Sequence, residues 1–117
     1  MNAALTSILR LPKRRREAFY QSLTQKEAEA FLYSWELWQR NKQKMPDGDW
    51  RIWLVLAGRG WGKSLTGAQA IRQAVETGRA RRVALVAPTA ADARDIMVEG
   101  ESGILAISPP WMRPEYE

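Results

Sequence analysis

Three glycines alternate with Arg59 and Trp61 in the stretch AGRGWGKS, residues 57–64, and no other part of the chain restricts the fold as strongly. An almost unbroken apolar run, WRIWLVLA, precedes it. A helix-period set, Leu65, Ala68, Ile71 and Val75, follows it. Apolar branched and aromatic residues without alternation suit a strand buried on both faces, as in a parallel sheet covered by helices. A glycine-rich turn between such a strand and a helix lets the main chain curve so that successive N–H groups point inward, forming an anion-binding nest. A helix starting near Gly62 adds about half a positive charge at its N-terminus.

The usual phosphate-loop pattern is G-x-x-x-x-G-K-[ST]. Gly62, Lys63 and Ser64 fit it, while Ala57 stands where the first glycine belongs. Negative φ at Ala57, with Gly58 taking the strained turn, would accommodate that departure. Main-chain amides of Gly58, Arg59, Gly60, Trp61, Gly62, Lys63, Ser64 and Leu65 are then expected to form a cup for the polyphosphate of ATP. Lys63 would bridge β- and γ-phosphate oxygens, and Ser64 would offer its hydroxyl to Mg²⁺. Arg59 has two readings, an approach to the γ-phosphate from within the loop or a side chain in solvent. The Trp61 ring is too bulky to hug phosphate and is expected to cover a neighbouring apolar surface. Gln43, just before the apolar run, is either a partner for an adenine edge or a solvated linker residue.

Elsewhere the pattern divides at MPDGDW, a turn with Pro46, Asp47 and Gly48 in succession. Residues 1–45 read as a helical N-terminal segment. Leu5, Ile8 and Leu9 have helical spacing, Pro12 interrupts, and Thr24 with Glu27 fits a capping box. Ala28, Phe31, Leu32, Trp35 and Trp38 continue a helical face to about residue 40. In residues 46–117, Gly78 closes the helix after the loop. RRVALVAP reads as a second buried strand, TAADARDIMVEG as a second helix capped by Thr89, and GILAIS as the opening of a third strand. The resulting expectation is an α/β fold. It is the start of a P-loop NTPase, with a partial parallel sheet of two to three strands and helices on its faces, preceded by the helical segment.

Composition narrows the chemistry. The 117 residues include no cysteine and no histidine, which removes disulfides, thiolate chemistry, histidine acid–base catalysis and ordinary zinc sites. No segment resembles a secretory leader or approaches a membrane span. The net charge of +5 comes from 18 Lys and Arg against 13 Asp and Glu. Lys13, Arg14, Arg15 and Arg16 form one cluster, and Arg79, Arg81 and Arg82 another. Such clusters attract nucleic-acid phosphates, or simply form a solvated basic surface.

Several blocks in one order resemble the N-terminal part of the tailed-phage large terminases. They are SLTQKEAEAFLYSWELW, WLVLAGRGWGKSLTGAQAIR and RRVALVAPTAADARDIMVEGESGILAISPPWMRP. Members of that family are the ATPase–nuclease subunits of DNA-packaging motors. The resemblance implies an additional-strand-class ATPase fold and a degenerate phosphate loop carrying an arginine, which Arg59 matches. Gln43 would match the family's adenine-contacting glutamine. ATP with Mg²⁺ is implied, as are a small terminase subunit, a portal and double-stranded DNA as partners, and the bacterial host cytoplasm as location.

A motor ATPase also needs an acidic pair at the end of a later strand, one carboxylate for Mg²⁺ and one for the attacking water. Glu76, Asp92, Asp95, Glu99, Glu101, Glu115 and Glu117 follow Lys63, and none ends an apolar strand. The family's coupling motif and nuclease domain have no counterpart either. The expectation is therefore an N-terminal fragment that binds ATP without turnover. Two other readings stand beside it. VAPTAADA resembles a helicase segment that contacts the DNA backbone, which suits a helicase or translocase lobe. The basic N-terminal segment alone suits a non-enzymatic module that binds DNA or a partner protein.

Overall fold

The computed structural model describes residues 2–117. It divides into two compact units, Met1–Lys44 and Met45–Glu117.

Four helices build the first unit: α1 (Ala3–Arg10), α2 (Lys13–Ser22), α3 (Gln25–Tyr33) and α4 (Trp35–Trp38), followed by a 3₁₀ turn at Asn41–Gln43. Each start has a local cause. The Asn2 side chain accepts from the Ala4 N–H at 2.7 Å and caps α1. Pro12 occupies the N-cap position of α2, where its missing N–H is no loss. Thr24 and Glu27 form the reciprocal capping box of α3: Glu27 N–H donates to Thr24 Oγ1 at 3.2 Å, and Thr24 N–H donates to Glu27 Oε1 at 3.4 Å.

The helical face expected to run unbroken to residue 40 is interrupted at Ser34, whose extended backbone separates α3 from α4. That bend brings Trp38 back over α3, so its indole N–H donates to the Phe31 carbonyl at 3.0 Å and its ring meets Phe31 edge-on at 5.4 Å. Phe19 and Tyr20 of α2 join the same aromatic cluster. Leu5 of α1 and Trp35 of α4 are buried, and those two helices are in contact.

The second unit is organised on α5 (Lys63–Glu76). Gly78, at φ +74°, ends that helix. Thr89 caps α6 (Ala90–Asp92), accepting from the Asp92 N–H at 3.0 Å. The chain then continues through a wider π-helical turn, Ala93–Val98. The short α7 (Ile104–Ile107) packs against α5, and a 3₁₀ turn at Pro110–Met112 follows.

The expected α/β architecture is not what forms. Among the described residues there is no strand, so neither a P-loop NTPase parallel sheet nor the additional-strand arrangement is present. Segments 52–57 and 82–87 take no regular secondary structure: a strand exists only through ladder hydrogen bonds to a neighbour, and these two make none among the described residues. Their side chains still alternate. Trp53, Val55 and Ala57 are half-buried, whereas Ile52, Leu54 and Leu56 stand 85%, 72% and 84% exposed. The third expected strand is helix α7. Four apolar residues are too few for their pattern to separate strand from helix. Here Gly103 accepts from the Ile107 N–H at 3.1 Å, the Ser108 hydroxyl donates to the Ile104 carbonyl at 2.6 Å, and the turn closes.

Candidate phosphate-binding loop

The loop owes its shape to two glycines. Gly60 and Gly62 adopt φ of +79° and +91°, a region that L side chains enter only with strain. Gly58 was expected to take the strained turn and does not; the turn falls at Arg59 and Gly60. Ala57 has negative φ, so an alanine at the pattern's first glycine position carries no backbone strain. Gly62 is also the N-cap of α5. Having no side chain, it leaves the first-turn N–H groups of that helix without an internal cap.

Lys63 opens α5, and its ammonium turns back over the loop. Nζ donates to the carbonyls of Ala57 and Gly58, both at 2.8 Å. These charge-assisted bonds hold the cation against the main chain that it would share with an anion. Sequence spacing has no means of anticipating them, because the lysine's direction depends on the backbone path of six residues. The Ser64 side chain is exposed and makes no hydrogen bond among the described residues. Its neighbour Thr66 is buried, with Oγ1 donating to the Gly62 carbonyl at 2.8 Å. That bond stiffens the first turn of α5 beneath the loop. Arg59 is exposed. Trp61 and Leu65 are half-buried, which suits a ring that covers apolar surface.

A cavity of about 360 Å³ borders this end of α5. Lys63, Ser64 and Ile71 line it from the helix, facing Leu85, Met97 and Ile104. Lys63, Ser64, Gly67, Ala68 and Ile71 fall on one side of a 3.6-residue helix, so the two polar residues share a face with an apolar stripe. Sequence reading recognised Ala68 and Ile71 as one face but not the cleft, which depends on Leu85, Met97 and Ile104 arriving from distant parts of the chain. The volume lies within the range of small-molecule sites.

Residues 58–65 are thus brought together around one turn. Gln43 lies in the other unit, buried, with its amide oxygen accepting from the Arg40 N–H at 3.0 Å and from Arg40 Nε at 3.2 Å. Three carboxylates after Lys63 have local partners. Glu76 pairs with Arg72 at 2.7 Å, and Asp92 accepts from the Thr89 hydroxyl at 2.8 Å. Asp95 accepts from Arg94 Nε at 2.7 Å, which holds its carboxyl below the usual carboxylate range on an exposed surface. No group of three acidic, histidine or cysteine side chains suited to a metal occurs among the described residues. Within the loop, Ser64 is the residue whose side-chain hydroxyl could serve as a Mg²⁺ ligand. No described helix is long and apolar enough to cross a membrane. No protein-family model matches the chain, and comparisons with curated proteins and with solved structures find no match either.

Proposed function

We propose that the loop of residues 57–65 binds the polyphosphate of ATP with Mg²⁺, and that the chain is the ATP-binding N-terminal part of a phage large terminase. The observation carrying this reading is local: Gly60 and Gly62 in left-handed conformation, leading into a 14-residue helix whose first residue is Lys63. Main-chain N–H groups at a helix start favour an anion, and a lysine ammonium strengthens that preference. Gly58, Arg59, Gly60, Trp61 and Gly62 supply the curve of the cup, and Leu65 the following amide. Ser64, whose side chain makes no hydrogen bond among the described residues, supplies the hydroxyl for Mg²⁺.

Anion binding by the loop needs only the turn and α5, not a sheet. The motor assignment rests on the order of the resembling blocks in the sequence. It brings double-stranded DNA, a small terminase subunit and a portal as partners, in the bacterial host cytoplasm. Gln43 as the adenine contact belongs to the same proposal.

Titration with Mg²⁺ and ATP tests the site. Wild-type chain is expected to bind, and Lys63→Ala to lose at least about tenfold in affinity, since one charge-assisted contact is worth roughly 1.5–3 kcal/mol. Equal binding by both proteins would reject the loop as the site. No steady-state hydrolysis is expected from the chain alone, and turnover that disappears in Lys63→Ala would reject that expectation.

A further inference from the structure

The phosphate loop makes no use of the most concentrated charge in the molecule. Arg10 closes α1, and Lys13, Arg14, Arg15 and Arg16 open α2 two residues later. Helix starts favour acids and disfavour cations, yet the first turn of α2 contains no acidic residue, and Pro12 supplies no side-chain cap. The placement therefore opposes helix stability instead of serving it.

Internal partners do not explain it. Lys13 meets Glu17 only at 3.9 Å, with both side chains largely exposed. Arg16 donates to the Leu9 carbonyl at 3.2 Å and so braces α2 against the end of α1. Arg14 and Arg15 are exposed and make no ion pair or hydrogen bond among the described residues. Arg16 thus holds the junction while Arg10, Lys13, Arg14 and Arg15 stand in solvent around it.

We propose that Arg10, Lys13, Arg14 and Arg15 are a seat for the phosphodiester backbone of duplex DNA. Exposed cationic side chains concentrated where α1 ends and α2 begins attract a polyanion and gain affinity by releasing its counterions. The aromatic residues of the same helix favour a duplex over a single strand. Single strands are held by bases stacked on free rings, whereas Phe19 and Tyr20 are packed on each other and on Phe31, at 5.8, 6.5 and 6.3 Å between centroids. Backbone contact without a base reader implies binding independent of sequence. This inference stands apart from the nucleotide site: it concerns the other unit, and its test contains no nucleotide.

The experiment measures full-length protein binding to a short mixed-sequence duplex across a salt series. Arg14→Gln/Arg15→Gln is compared with Arg81→Gln/Arg82→Gln, which removes the same charge elsewhere. The first variant is expected to lower the salt slope by about 1.8 and affinity on the order of 10- to 100-fold near 0.1 M salt. The second is expected to change neither appreciably. Equal loss in both variants would mean that only net charge matters, and would overturn the seat. An unchanged slope in Arg14→Gln/Arg15→Gln would overturn it as well. So would tighter binding to a single strand of the same length, or binding to phosphatidylserine vesicles but not to the duplex. Circular dichroism showing unchanged helix in both variants keeps a loss of binding from being a loss of fold.

Discussion

Gly60 carries a constraint that its neighbour Gly58 does not. A Cβ on either would meet open space, but only Gly60 has positive φ. Gly60→Ala is therefore expected to lower stability by about 1–2 kcal/mol through backbone strain alone, and Gly58→Ala by less than about 0.5 kcal/mol. Urea unfolding of the two variants checks the contrast, and similar losses would show that the turn lies elsewhere. The same logic identifies a different kind of glycine at position 103. A Cβ there would lie 2.6 Å from the Val98 carbonyl oxygen, so the restriction is steric and comes from the π-helical turn. The spacing of glycines in AGRGWGKS announced a turn. Which glycines bear the strain, and where the Lys63 ammonium rests, followed from the path of the backbone.

Helix α3 shows how much a short element leans on its end. It has nine residues, fewer than an isolated helix needs to persist in water. Its capping box satisfies two main-chain donors, and Thr24→Ala is expected to cost about 1 kcal/mol, read as a lower unfolding midpoint. A loss confined to the α2–α3 region in hydrogen exchange would tie the effect to the cap. This element was legible from Thr24 and Glu27 because capping acts over three residues. The break at Ser34 was not. There the helix gives way to a bend that lets Trp38 reach Phe31, and the gain comes from a packed ring and an indole hydrogen bond beyond helical spacing. In the second unit, the wider turn at Ala93–Val98 similarly departs from a regular helix, and its Met97 reaches the cleft beside Lys63. Such π-helical insertions recur near functional sites, because they redirect a side chain without ending the helix.

Across the molecule much aliphatic surface stays in water, and part of it is the row Ile52, Leu54 and Leu56, with Val86 on segment 82–87. Main chain without ladder hydrogen bonds, carrying exposed apolar side chains, favours association. Leu54→Ser/Leu56→Ser is therefore expected to reduce concentration-dependent association in sedimentation without lowering the unfolding midpoint, since these side chains bury little. A lower midpoint with association unchanged would refute that view. The fate of segments 52–57 and 82–87 also marks the division between the two levels of information. What acts over a few residues could be read along the chain: the caps at Thr24 and Thr89, the glycine turn before Lys63, the stop at Gly78 and the apolar face of α5. Tertiary structure alone decided that residues 52–57 and 82–87 stay unladdered, that residues 104–107 coil against α5, and that a cleft opens beside Ser64. A cap is satisfied by its own neighbours, whereas a strand, a packed face or a cavity exists only through partners remote along the chain.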